Sequence, residues 1–168
     1  MKKSQTGFTL VELVVVILIL GILSATALPR FMNVSAQANT AAVAGAAGGL
    51  GAGVALAHAQ WVANNLAGAQ ADVAGFGDGT VAVNASGWPS DGVGAGGNTA
   101  AIAIGATATC TAIWNGVMQN PPSTGTAGTE DYTTSITTAD LCRYTYRANT
   151  AKFIEYNATN GNVALTNP

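Results

Sequence analysis

The pattern of apolar and polar positions divides the chain into four parts: a short basic start, an unbroken apolar run, an amphipathic stretch rich in small residues, and a polar, glycine-rich remainder. Met1 to Gly7 is polar, with lysines at positions 2 and 3. From Phe8 to Phe31, 24 residues, Glu12 is the only acid and Arg30 the only base. As a helix such a run is about 36 Å long, enough to cross a bilayer. Lys2 and Lys3 ahead of it favour a cytoplasmic start, so everything after Arg30 is expected on the far side of the membrane.

Further along, Val43, Ala47, Leu50, Val54, Ala57 and Trp61 recur at spacings of 4, 3, 4, 3 and 4. That is one stripe of a helix, and it predicts that the first helix continues to about Asn64. Gly45, Gly48, Gly49, Gly51 and Gly53 interrupt it, each costing up to about 1 kcal/mol against alanine. Contacts outside the helix must offset them, and small residues let neighbouring helices approach closely. Pro29, with Gly21 upstream, predicts a kink or local unwinding near Leu28.

Gly68 to Gly105 reads as a loop-rich connector with β-like pieces at Thr80 to Val83 and Ala101 to Ile104. Thr109, Ile113, Trp114, Val117 and Met118 read as a short capped helix, closed by Asn120-Pro121-Pro122-Ser123. Thr124 to Thr138 is expected to be a surface excursion. The end alternates: Cys142, Tyr144 and Tyr146 on one face, Arg143, Thr145 and Arg147 on the other. With Phe153 to Tyr156 and Val163 to Leu165 this predicts a three-stranded antiparallel meander. The fold class expected is α+β.

Composition narrows the function. Charged residues make up 8% of the chain, against about a quarter in ordinary globular proteins, so it is neither a charged disordered chain nor a basic nucleic-acid binder. One histidine, His58, and two cysteines, Cys110 and Cys142, exclude a histidine cluster or a conventional zinc site within one chain, and no cofactor is expected. His58, one step off the helical stripe, reads as a boundary residue. In an exported domain Cys110 and Cys142 are expected to form a disulfide, closing a loop of about 33 residues and contributing about 3.5 to 4 kcal/mol. Gly75, Gly77 and Gly79 lack the spacing of a phosphate loop and read as turns. Trp88-Pro89 is expected to pack against the sheet, the alternative being to stack on a sugar.

Arg143, Arg147 and Lys152 are the basic residues beyond Arg30; without Lys2 and Lys3 the chain has 4 basic against 8 acidic side chains, a formal charge of −4. A solvated sheet face is therefore expected in place of a nucleic-acid surface. Asn33-Val34-Ser35, Asn84-Ala85-Ser86 and Asn157-Ala158-Thr159 fit the N-glycosylation sequon, a motif short enough to arise often by chance.

Glu12 is the anomaly of the apolar run, because a carboxylate inside a membrane helix is costly and marks a function and a partner. No basic residue lies nearby in the run. Cutting the chain after Gly7 creates an α-amino group on Phe8, one helical turn from Glu12.

Gly7-Phe8-Thr9-Leu10-Val11-Glu12-Leu13, after lysines and before a long aliphatic run, resembles the class III signal of bacterial type IV pilins and pseudopilins. Ile22 to Val34, Gly87 to Pro89 and Cys110 to Trp114 are further similar to pilins of the mannose-sensitive haemagglutinin type. The resemblance implies a long amino-terminal helix packed on a small antiparallel sheet with a disulfide-bounded carboxyl-terminal loop. It implies cleavage after Gly7 by a prepilin peptidase, methylation of the Phe8 amine, and docking of Glu12 against a neighbour's terminal amine. It also implies a hinge between Gly21 and Pro29 that loses helicity on assembly. The domains are then a leader at 1–7, an assembly helix at 8–31, its continuation at 32–66 and a head at 67–168. The implied function is structural and not enzymatic: a homo-oligomeric surface filament for adhesion, motility or biofilm formation, held in the inner membrane before assembly. An extension ATPase and a platform protein act indirectly, and a surface receptor is an implied partner.

Other readings share parts of this pattern. A type II secretion pseudopilin shares the whole amino-terminal argument. An ordinary signal peptide cut near Ala25-Thr26-Ala27 would release a soluble enzyme or binding domain, but the run is longer than a usual signal core and leaves Glu12 uncompensated. A simple membrane anchor gives Glu12 no purpose.

Overall fold

A computed structural model describes residues 7–90 and 107–166, the side chains of residues 32 and 33 excepted. Most of the leader and the β-like piece at 101–104 lie outside the described residues. The chain forms two compact units that divide between Ala38 and Asn39.

Helix α1 is Leu10–Ala63. In the first unit it is helical through Gly21 and Pro29, so the local unwinding expected near Leu28 is absent from the single chain. Ser24 and Thr26 turn their hydroxyls back onto the carbonyls of Leu20 (2.7 Å) and Leu23 (3.0 Å), which hides those polar groups within the apolar run. In the second unit α1 stops at a Schellman arrangement. Leu66 N–H donates to the Trp61 carbonyl and Asn65 N–H to that of Val62, with Asn65 in the left-handed region at φ 55°.

The second unit is built on a sheet. Helix α2 is Thr107–Val117, so Thr109 sits within it and does not cap it. The strands are β1 Thr124–Gly125, β2 Tyr132–Thr138, β3 Leu141–Tyr146, β4 Phe153–Asn157 and β5 Asn162–Thr166, in the order β1-β2-β3-β4-β5. β2 to β5 form an antiparallel meander, and β1 pairs parallel with β2. The expected three strands are all present, but the stretch read as a surface excursion supplies two more. β2 carries Tyr132 and Thr134 inward at period two. Its run of threonines and serine looks like a loop by polarity, yet β-branched threonine suits a pleated strand.

One hydrophobic core joins the elements. Val43, Leu50, Val54 and Ala57 of α1 are buried as the stripe predicts, with Ala46 in addition, and they meet Cys110, Ile113 and Trp114 of α2 and Tyr132, Cys142, Tyr144, Ile154 and Tyr156 of the sheet. Trp114 packs 4.5 Å from Tyr144 and 5.0 Å from Tyr132 between ring centres.

Of the α1 glycines with neighbours, only Gly53 is required by close approach, while a Cβ on Gly49 or Gly51 would make an ordinary contact. A Cβ on Gly53 would run into the Val117 carbonyl at the end of α2, one on Gly49 would touch Met118 Sδ at 3.4 Å, and one on Gly51 would meet Val163 at 3.8 Å. Gly45 and Gly48 face open space. The connector at 64–90 contains turns and isolated bridges (Gln70 with Val83, Val83 with Pro89) and no strand at Thr80 to Val83.

Candidate functional site

The amino-terminal unit is shaped by one local motif. Gly7, Phe8 and Thr9 precede the helix, and Thr9 is its N-cap. The Glu12 amide donates to Thr9 Oγ1 at 3.3 Å, and Glu12 Oε2 accepts from both the Thr9 amide and hydroxyl at 2.8 Å each. This is a capping box, Thr-x-x-Glu, in which N-cap and N3 residues satisfy each other. The sequence reading gave Glu12 no partner before cleavage, and the structure corrects that. Thr9 is the residue the reading missed; Thr-x-x-Glu ahead of an apolar run is the signal that would have found it.

On both sides of the cap, the side chains that make the run apolar are exposed. Phe8 is 91% exposed, Leu10 78%, Leu20 56% and Leu28 67%. These side chains are exposed among the described residues, and α1 is long and apolar enough to cross a membrane. Glu12 therefore stands, capped, at the head of an uncovered apolar helix.

In the head, Cys110 and Cys142 are disulfide-bonded with Cα atoms 5.6 Å apart, and both are fully buried. The bond ties α2 to β3. Tyr144 donates from its hydroxyl to the Cys110 carbonyl at 2.8 Å beside it.

His58 is a loop clamp. Its ring stacks on Trp88 at 3.9 Å and lies 5.8 Å from Trp61, while Nδ1 donates to the Gly87 carbonyl at 3.1 Å, since a carbonyl can only accept. Gly161 lies against the Trp88 indole, with φ at +72° and no room for a Cβ. Trp88 is thus partly buried, packed against His58 and Gly161 as the packing reading expects. Asn84 holds the same loop: Oδ1 accepts from the amides of Ser86 and Trp88 at 3.0 Å, and Nδ2 donates to the Ala158 carbonyl at 2.6 Å.

The basic residues of the sheet do not form an open positive face. Arg143 is paired with Glu155 at 2.7 Å and lies 4.2 Å over the Phe153 ring. Arg147 contributes to the field that lowers the Asp131 pKa. Hydrogen bonds from the Ser123 hydroxyl (2.7 Å) and amide (3.1 Å) hold the Asp131 carboxyl further below its ordinary range. Burial pushes Tyr132 up to about 12 and Tyr144 and Tyr156 well above the ordinary tyrosine value, so these hydroxyls remain hydrogen-bond donors and not bases. Among the described residues no three acidic, histidine or cysteine side chains come together as a metal site.

Comparison with known proteins places the amino-terminal signal. Residues 2–28 match the prokaryotic N-terminal methylation motif. The chain is 48% identical over 54 residues to the type IV narrow pilus major component PilA5 of Thermus thermophilus, covering 32% of this chain and 47% of that one. It is 41% identical over 68 residues to a fimbrial protein of Neisseria meningitidis, covering 39% and 40%. It is 46% identical over 43 residues to the type IV major fimbrial protein FimA of Dichelobacter nodosus, covering 26% and 28%. The chain spans less than half the length of these curated relatives. No solved structure matches it. The methylation motif lies over the cap and the apolar helix, and over part of their length the relatives to which the chain is similar are type IV pilus and fimbrial components.

Proposed function

We propose that this chain is the structural subunit of a type IV pilus-like surface filament, of the mannose-sensitive haemagglutinin type. The observation that carries the reading is the apolar helix left uncovered after Leu10, headed by the Thr9–Glu12 box. An exposed apolar helix needs either lipid or other helices around it, and a subunit that moves from membrane to filament core uses both. The divisions are a leader at 1–7, an assembly helix at 8–31, its continuation at 32–66 and a head at 67–168.

A prepilin peptidase cuts between Gly7 and Phe8. Those residues lie before the helix, and an extended scissile peptide is what a protease active site requires. The same enzyme methylates the Phe8 amine. Glu12 then pairs with a neighbour's terminal amine and sets the axial register, exchanging its Thr9 hydrogen bonds for an ion pair in a medium of low dielectric. Gly21 and Pro29 let the helix stretch as it packs. An extension ATPase and a platform protein supply the work from the inner membrane, and the filament carries the heads outside the cell, where they meet a surface receptor.

The test is the intact mass and amino-terminal sequence of protein sheared from cells. A chain starting at methylated Phe8 in long fibres is the expected result. A chain starting at Leu28, or unsheared periplasmic material only, overturns it.

A further inference from the structure

The three glycosylation sequons are not equivalent in the fold. Asn84 is buried at 4% exposure with both ends of its carboxamide engaged, Nδ2 to the Ala158 carbonyl and Oδ1 to two amides. It offers no nitrogen to a transferase. Asn33 lies within α1, and its side chain is outside the described residues.

Asn157 differs. It ends β4, whose Ile154 and Tyr156 point into the core, so Phe153, Glu155 and Asn157 share the opposite, outer face. Its Oδ1 accepts from the Thr159 amide at 2.8 Å, and among the described residues Nδ2 has no partner. That Asx turn folds the carboxamide onto the Thr159 amide, so the Asn-x-Thr triplet sits in the turn that follows β4. Thr159 and Asn160 at the β4–β5 connection are exposed.

We propose that Asn157 is an N-glycan attachment site that takes an oligosaccharide from a lipid-diphosphate donor outside the cytoplasm. The bond formed joins Asn157 Nδ2 to the anomeric carbon of the sugar. The anomeric carbon's bond to the diphosphate oxygen breaks, the lipid diphosphate leaves with the electron pair, and Nδ2 gives up one proton to a base of the transferase. The site rests on the reading that residues beyond Arg30 are exported. A glycan there hangs from the β4–β5 end of the head's outer face.

The experiment is intact-mass measurement of the mature protein from its own cells, for the native chain and for Thr159→Ala, Thr159→Ser, Ser86→Ala and Ser35→Ala. The native chain, T159S, S86A and S35A are expected to exceed the polypeptide mass by whole sugar residues, and T159A to return to the bare mass. A native chain at its bare mass, or an excess that survives T159A, overturns the proposal. Should T159A fail to accumulate, peptide mapping of the native chain decides, because the sugar either lies on the peptide containing Asn157 or does not. The same spectra read the amino terminus: a chain still beginning at Met1 faults the processing reading, and one beginning at Phe8 without sugar faults only the glycan.

Discussion

One carboxylate oxygen of Glu12 accepts hydrogen bonds from both the amide and the hydroxyl of Thr9, at 2.8 Å each. The acid that looks unpartnered along the apolar run is therefore satisfied within its own chain before any neighbour arrives. Capping engages one oxygen of the carboxylate that the proposed docking would also use, and two substitutions separate the two roles. Glutamine keeps a capping box and removes the charge, so Glu12→Gln is expected to process its leader normally yet yield no filaments, as is Glu12→Ala. Thr9→Ala is expected to leave the charge and weaken only the cap, giving reduced but detectable fibre. The ratio of mature to precursor protein and the yield of sheared fibre read the two effects. Normal fibre from E12Q would assign Glu12 to capping alone.

What the sequence disclosed follows from how local each signal was. The apolar run, the stripe from Val43 to Ala57 and the inward alternation of Cys142 and Tyr144 are periodic, and periodicity fixes which side is buried. β2 was not legible because its Thr133, Thr134 and Ser135 carry no contrast in polarity; only pairing with β3 makes them a strand. Helix α1 persists through Pro29 because one lost backbone bond does not outweigh those on either side. The roles of His58 and Trp88 needed contacts with Gly87 and Gly161 that no spacing announces.

Glycine-to-alanine substitutions along α1 are expected to differ in sign. At Gly53 the new methyl collides with the backbone carbonyl of Val117, and overpacking of this kind costs about 1 to 3 kcal/mol. At Gly45 and Gly48 the space is open, and alanine gains up to about 1 kcal/mol of helix propensity. Thermal melts of the full chain in detergent should fall for G53A and rise for G45A and G48A. If the open glycines are where other helices approach, G45A and G48A lower filament yield even as they stabilise the subunit.

Loss of the disulfide is expected to weaken the head without rearranging it. Cys110 and Cys142 are both buried between α2 and β3, so the pair C110A/C142A leaves small cavities in addition to freeing the loop. The chain-entropy term alone is about 3.5 to 4 kcal/mol. Denaturant melts of native and double-variant protein measure it, and an unchanged midpoint would contradict the assignment of the bond as a main brace of the head.

Acid should loosen the loop ahead of β2. Asp131 is held below the ordinary carboxylate range by the Ser123 hydroxyl and amide, with Arg147 adding to the effect. A lowered folded pKa means that this contribution is complete above the unfolded value of about 3.9 and disappears as pH falls through the folded value. Ser123→Ala removes the largest cause, so the Asp131 titration followed by carboxyl NMR should move up toward the unfolded value. A titration unmoved by S123A would show that the carboxylate is held by something else.

Alkali should act on the core from the opposite direction. Tyr132 is raised to about 12 by burial, and Tyr144 and Tyr156 are raised further by the same cause. For a raised folded pKa the stabilisation is fully present below the unfolded tyrosine value of about 10 and is lost as pH climbs through the folded one. Tyr144 and Tyr156 also donate to the carbonyls of Cys110 and Pro89, and an ionised phenol cannot donate, so each ionisation removes a tie between the sheet and a neighbouring segment. Stability should therefore be flat up to about pH 10 and fall steeply above it, with tyrosinate absorbance appearing together with the loss of near-ultraviolet dichroism. Tyrosinate signals from all of the tyrosines appearing while the fold is intact would contradict the buried, donating roles of Tyr144 and Tyr156.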